Sequence, residues 1–363
     1  MKKELLLLFC LVGCVDPYQD LHKSLDETLE IIDKLYPEKP NIEKMRQGML
    51  NGLIQGTDTH GSYLDEMSLK NLVESVDGGD LKLGMVISKH KNGLFVKKVY
   101  ENSPAYIAGL VDGDILTNFD GYPLKDITLD SFLKLIKEKK SYLITLIRDK
   151  TTLEKKVTPG TFIAPSTELK WLDSIAYLKF GCINKNAADE VAKHLQTIKK
   201  NKKSKGLILD LRDCPGGSFE AGVGIASQFL DGHVVVEMHK KEDNSKFSSA
   251  GFDTINKLSV IILQNKNTCS AGEIISAALK AHKRATLMGE NTAGSATAKS
   301  VIHYPNRKDG LILTIAFLND PNGKRIGKEG VEPDITLKDN EVSKIKKMDF
   351  YISEALKFLN KKQ

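Results

Sequence analysis

From about residue 175 the chain repeats one pattern, a short aliphatic run followed by a stretch with helical spacing. IAYLKF (175–180) leads into AADEVAKHLQTIKK, and GLILDLR (206–212) leads through the turn DCPGGS (213–218) into GVGIASQFL. SVIIL (259–263) leads into the stretch from Ala271 to Ala281, and VVVEM and ATLMGE supply further aliphatic runs. A run with no polar alternation suits a strand buried on both faces, and strands alternating with helices pack as a mostly parallel, helix-covered sheet. In such sheets functional groups collect at the carboxyl ends of the strands. The pattern predicts an α/β core over residues 159–363, closed by an amphipathic helix in NEVSKIKKMDFYISEALKFLNKK.

One strand-to-helix junction carries TCSAGEIISAAL (268–279). Ser270-x-x-Glu273 has the spacing of a capping box, in which a serine oxygen satisfies the orphan N–H groups of a helix start. The same position suits a nucleophile, because the helix dipole favours developing negative charge there. The local pattern leaves both readings open. Cys269 reads as a small apolar residue at a strand end.

At 363 residues the chain exceeds one ordinary core, so more than one domain is expected. Its first residues, MKKELLLLFCLVGC, combine two lysines with an apolar stretch too short to span a bilayer, which is the pattern of a secretory signal. Leu11-Val12-Gly13-Cys14 resembles a bacterial lipobox, which implies lipidation at Cys14 and an exported protein anchored in the cell envelope, on the periplasmic side of a membrane. Without Cys10 and Cys14, three of the five cysteines are left, an odd number with no paired spacing, which argues against a disulfide framework or a zinc site. The net charge of +6 is spread over many lysines, and the run KKNKKSK (199–205) has no interleaved aromatics, so nucleic acid is not an expected partner.

Residues 15–76 read as helical, from the spacing in LDETLEIIDKLY and IEKMRQGMLNGLI. Residues 77–158 change to short β patterns (LKLGMVIS, GLFVKKV, DILTNFDG, YLITLIRD) with two helical pieces. There Asn102-Ser103-Pro104-Ala105, then Asp112-Gly113-Asp114-Ile115-Leu116 and Phe119-Asp120-Gly121, resemble a PDZ domain in order and spacing. The resemblance implies that Leu83-Gly84-Met85-Val86 is the loop whose N–H groups take a peptide carboxylate, with the peptide adding as a strand.

Together these segments resemble the carboxy-terminal processing, or tail-specific, serine peptidases, whose fold is a crotonase-like α/β core with an inserted PDZ domain and an N-terminal helical region. The motifs are Asp58-Thr59-His60-Gly61-Ser62-Tyr63-Leu64, Asp210-Leu211-Arg212-Asp213-Cys214-Pro215-Gly216-Gly217, Ser270-Ala271-Gly272-Glu273, Gly289-Glu290-Asn291-Thr292 and Gly330-Val331-Glu332-Pro333-Asp334-Ile335. The resemblance implies Ser270 as nucleophile and an oxyanion hole from the Ala271 amide with that of Gly216 or Gly217. It also implies polypeptide substrates with exposed C-termini, and neither metal nor organic cofactor.

The family's general base is a lysine 25 positions after the serine, and that position here is Ser295, with Lys299 four residues on. Three alternatives follow. Lys299 could reach inward if residues 295, 297 and 299 share one face of a strand. His60 could serve, as in the lysine-lacking branch with T-A-G-S-A-like sequences, with Glu329 as the nearest assisting carboxylate. Or the chain is an impaired peptidase that binds C-termini as a scaffold.

Overall fold

The computed structural model describes residues 18–76, 83–136, 141–160, 162–251, 253–337 and 349–361. The expected signal with Cys14, the start of the expected PDZ segment (77–82) and the front of the expected closing helix (340–348) lie outside the described residues.

The chain divides into two units, one ending at Tyr63 and the other starting at Leu64. The first holds helices α1 (Gln19–Leu35) and α2 (Ile42–Thr57). Asn41 caps α2, its side-chain oxygen accepting from the Lys44 N–H at 3.0 Å, as short polar residues do at helix starts. The short strand β1 (Ser62–Leu64) crosses the boundary, and α3 (Glu66–Val76) opens the second unit.

Next come β2 (Met85–His90), β3 (Gly93–Val99), α4 (Pro104–Ile107), β4 (Ile115–Phe119), β5 (Tyr122–Pro123), α5 (Leu129–Leu135), β6 (Tyr142–Arg148) and β7 (Thr151–Val157). The strands form one antiparallel sheet in the order β2-β3-β4-β6-β7, with β5 beside β4. Its apolar faces enclose a core of its own, in which Phe119 stacks on Tyr142 at 4.6 Å and meets Phe132 edge-on at 5.1 Å. The Asp112-Gly113-Asp114 stretch earns its place here structurally. Asp114 is fully buried, accepts from the Val111 N–H, and takes both arms of Arg148 at 2.7 and 2.8 Å, so its charge is paired and hydrogen-bonded.

The core follows with β8 (Thr167–Leu172), β9 (Ile175–Phe180), α6 (Ala187–Lys200), β10 (Gly206–Asp210), α7 (Phe219–Ser227), β11 (Val234–Lys240), β12 (Asn244–Ser248), β13 (Ser259–Gln264), α8 (Ala271–Ala281), β14 (Ala285–Gly289), β15 (Thr297–His303), β16 (Gly310–Asn319), β17 (Ile335–Thr336) and α9 (Phe350–Lys361). One sheet runs β17-β14-β13-β10-β9-β8, parallel throughout except for β8 against β9. Side chains alternate across it. Leu207, Leu209, Val260 and Ile262 join the core under α6, α7 and α8, whereas Ile208, Ile261 and Leu263 join the core under α9. The expected doubly covered parallel sheet is present.

Two expectations differ. VVVEM, read as part of that sheet, is β11 of a second, antiparallel sheet with β12, β16 and β15. A strand apolar on both faces reads the same in either setting, because its partner lies far along the chain. Strands that the sequence reading did not name, among them β7, β8, β12 and β16, are also present, mostly with mixed polarity.

Candidate active site

The carboxyl ends of β10 and β13 adjoin because the strands pair in parallel, with Asp210 opposite Leu263. Their following loops are laced together. The Leu211 N–H donates to the Leu263 carbonyl at 2.8 Å and the Cys269 N–H to the Cys214 carbonyl at 2.9 Å. The buried Thr268 hydroxyl donates to the Leu211 carbonyl at 2.8 Å. Below them, Asp210 accepts from the Tyr177 hydroxyl at 2.6 Å and from both arms of Arg212, which also reaches Asp349 before α9. Burial and the Asp210 charge hold the Tyr177 phenol well above its ordinary pKa, so it stays a donor.

Ser270 stands at the start of α8 with φ 51° and ψ −114°, a region that costs a non-glycine residue about 1–3 kcal/mol. Glu273 closes the expected capping box, its Oε2 accepting from the Ser270 N–H at 2.9 Å. Gly216 (φ 87°) passes so near that an added Cβ would lie 2.6 Å from Ser270 Cβ, and at Gly217 (φ 141°) one would lie 2.1 Å from the Ile183 carbonyl oxygen. Both positions require glycine. Burial pushes the Cys214 thiol up to about 12, against an opposing effect of the Gly216 N–H. The N–H groups of Gly217 and Ala271 meet no acceptor among the described residues. Gly217 and Ala271 thus have donors to spare beside Ser270.

Glu273 is fully buried and does more than cap. Its Oε1 accepts from the Thr292 hydroxyl at 2.6 Å and the Gly294 N–H at 2.7 Å. Its Oε2 accepts, besides Ser270, from the Ser295 N–H at 2.9 Å and the Ser295 hydroxyl at 3.3 Å. These bonds hold residues 292–295 in a bend, and the Thr297 N–H turns back to the Ser295 carbonyl at 2.9 Å. The expectation that 295, 297 and 299 share one strand face is therefore corrected. The strand begins only at Thr297, because the carboxylate takes the N–H groups that an extended backbone would offer to a neighbour.

A cleft of about 420 Å³ opens at Ser270. Lys299, exposed on β15, lines it with Ser270, Gly217 and Thr297, and its apolar wall includes Phe219, Met238, Ile274, Ile312 and Leu318. The sequence reading missed this wall, much of which comes from the second sheet. Burial raises the Cys269 thiol, against the opposing effects of the Ser295 hydroxyl and the Lys299 charge, which suits the reading of Cys269 as inert.

His60 belongs to the first unit, in the turn after α2, exposed, with its N–H donating to Asp58 Oδ1 at 3.0 Å. The Glu329 side chain is exposed, and its carbonyl accepts from Asn291 Nδ2. At the expected carboxylate loop Leu83 and Met85 are buried, Val86 is exposed, and Gly84 takes φ 66°. An added Cβ at Gly84 would fall 2.2 Å from Ser103 Cβ. Among the described residues no cluster of three or more His, Cys, Asp or Glu side chains could hold a metal, and no helix is long and apolar enough to cross a membrane.

Comparison with known proteins follows the same division. Residues 174–337 match the model of peptidase family S41, and residues 73–147 match the PDZ domain. The carboxy-terminal-processing protease of Bartonella bacilliformis is 26% identical over 350 residues, covering 93% of this chain and 80% of that protein. A Staphylococcus haemolyticus protein described as a "Probable CtpA-like serine protease" is 26% identical over 321 residues, covering 86% of this chain and 64% of its own length. Among solved structures, the photosystem II D1 C-terminal processing protease superposes with a TM-score of 0.53 at 23% identity over 87% of both chains. A Bacteroides fragilis protein named as an S41 protease gives 0.58 at 15% identity over 90% of this chain and 93% of its own. Those two likenesses concern the fold. The chain thus has a segment that matches peptidase family S41 and one that matches the PDZ domain, and over most of its length it is similar to carboxy-terminal processing proteases.

Proposed function

We propose that this chain is an exported endopeptidase that captures a polypeptide C-terminus in its PDZ domain and cleaves the chain nearby by acyl transfer at Ser270. The observation that carries the reading is the strained Ser270 at the head of α8, facing a mostly apolar cleft, with the unengaged N–H groups of Gly217 and Ala271 beside it. Ser270 Oγ attacks the scissile carbonyl while a base takes its proton. The developing oxyanion accepts from Gly217 and Ala271. Collapse returns the proton to the leaving amine, and water then releases the acyl group by the same route. For the base we take Lys299, because it lines the cleft with Ser270. His60 is the rival, and turnover by His60→Ala beside Lys299→Ala separates the two.

The scaffold reading is favoured by the serine at position 295, where the family resemblance implies a lysine. Incubation with an unfolded protein bearing an apolar C-terminal tail distinguishes them. Cleavage lost in Ser270→Ala supports the peptidase, and tight tail binding without cleavage by the parent supports the scaffold. Anchoring through a lipidated Cys14 is part of the same proposal, motivated by Leu-Val-Gly-Cys at 11–14. One acyl chain holds only marginally, so several are implied. Cys14→Ser should leave the membrane fraction, and unchanged partition and mass would remove the anchor.

A further inference from the structure

The turn carrying Gly216 and Gly217 is fastened to the loop before Ser270 by an exposed residue outside the cleft. Asp213 stands there with φ 61°, in the left-handed region. Its N–H donates to Asn265 Oδ1 at 3.1 Å, and Asn265 Nδ2 donates back to Asp213 Oδ1 at 3.0 Å. Asn267 Nδ2 donates to the same Oδ1 at 2.8 Å. One carboxylate oxygen thus takes both side-chain amides of the loop that leads to Ser270. The Asn267 and Asn265 amides hold the Asp213 carboxyl below its ordinary range.

Asn265 is itself locked into that loop. Its Oδ1 also accepts from the Asn267 N–H at 3.1 Å, and its N–H donates to the Thr268 hydroxyl at 3.0 Å. Its carbonyl accepts from the Thr268 N–H at 2.9 Å. At the other end of the turn, the Ile183 N–H donates to the Gly216 carbonyl and the Ile183 carbonyl accepts from the Ser218 N–H, both at 2.8 Å. Ile183 follows β9, so this grip fixes Gly217 to the core and not to Ser270. Among the described residues, the hydrogen-bonded ties from 213–217 to 265–270 are the Cys269 N–H bond to the Cys214 carbonyl and the Asp213 clamp.

We propose that Asp213 is a positioning residue, which sets the separation between the Ser270 hydroxyl and the Gly217 N–H that receives the oxyanion. This rests on the reading of Ser270 as nucleophile with Gly217 and Ala271 as donors. The Ala271 donor is next to Ser270 in the chain and moves with it. The Gly217 donor belongs to a different loop and keeps its place only if the two loops are tied. A donor aimed at developing charge acts on the transition state far more than on bound substrate, so a loosened tie lowers kcat and spares KM.

The test compares kcat, KM, melting temperature, the fraction of Ser270 labelled by a fluorophosphonate, and affinity for a peptide aldehyde, whose adduct with Ser270 puts an oxygen between the two donors. Asp213→Gly adopts φ 61° freely and removes the clamp. It should lower kcat and aldehyde affinity by about tenfold each, the worth of one charge-assisted bond, with KM within about twofold. Asp213→Asn keeps an oxygen for both amides and should stay within about threefold of the parent. Asn267→Asp sets two carboxylates against each other and should lose at least as much as the glycine variant. Adding Asp213→Asn to it gives the new carboxylate an amide donor and should restore most of the activity. Full kcat in Asp213→Gly, equal losses in the Gly and Asn variants, a fall in labelled fraction at unchanged aldehyde affinity, or no rescue in the double variant would each overturn the positioning role while leaving Ser270 as nucleophile. A parent that takes no label and cleaves nothing removes the peptidase reading, and this role with it.

Discussion

Replacing Glu273 by Gln removes one acceptor from a hub that has five donors. The amide keeps a single carbonyl oxygen and puts an NH₂ group where the other carboxylate oxygen stood. If the carbonyl replaces Oε2, it still serves the N–H groups of Ser270 and Ser295, and the NH₂ faces the Thr292 hydroxyl and the Gly294 N–H. The hydroxyl can turn to accept, but the Gly294 N–H cannot. The opposite orientation strands two N–H groups, so the first is preferred. One buried donor left without an acceptor costs about 1–3 kcal/mol, and loss of charge on the remaining bonds adds to it. A total of roughly 2–4 kcal/mol, at about 2–4 °C per kcal/mol for a unit of this size, lowers the melting temperature by about 5–15 °C. The same change loosens the tether on the strained Ser270, so turnover should fall at temperatures where the variant is still folded. Circular dichroism melts and peptide turnover read both effects. A Gln variant melting within about one degree of the parent at full turnover would refute the role assigned to this carboxylate.

Other substitutions probe separate parts of the account. Gly217→Ala must fit a Cβ 2.1 Å from the Ile183 carbonyl at φ 141°, so the turn before α7 swings its N–H away and turnover should drop about a hundredfold or more. Gly84→Ala meets Ser103 at 2.2 Å, and fluorescence polarisation should show C-terminal peptide affinity lost while Ser270 labelling persists. Asp349 is half-buried, which raises its carboxyl, yet Arg212 and the N–H groups of Ile352 and Tyr351 outweigh that and hold it below 3.8. A depressed carboxyl contributes stability above its unfolded pKa and loses it as pH falls through the folded value, so Asp349→Asn should lower the melting temperature near neutrality, with the difference from the parent shrinking as pH falls below about 4.

Much of the site was legible because it is local. Ser270 and Glu273 are three residues apart, the two glycines adjoin, and the strand-to-helix rhythm needs only short windows. What escaped depends on distant partners. Four of the five donors on Glu273 are side chains or amides of residues 292–295, and a capping box read from spacing gives no hint of them. The same bonds explain why Lys299 could not be placed by counting in twos from Ser295. β11 shows the same limit at the level of the fold. VVVEM is apolar enough for a parallel sheet, and only its pairing with β16, some 80 residues on, moves it to the antiparallel one. The apolar cleft wall was invisible for that reason, since Met238 belongs to β11 and Ile312 and Leu318 to β16.

The central claim is that Ser270 is an activated nucleophile. Mass spectrometry after brief fluorophosphonate treatment, run beside digestion of an unfolded protein with an apolar C-terminal tail, tests it most directly. The expected result is a single adduct on the peptide containing Ser270, with both adduct and cleavage absent in Ser270→Ala. Undiminished cleavage by Ser270→Ala, or a parent that binds the tail tightly yet takes no adduct and makes no cut, would contradict it.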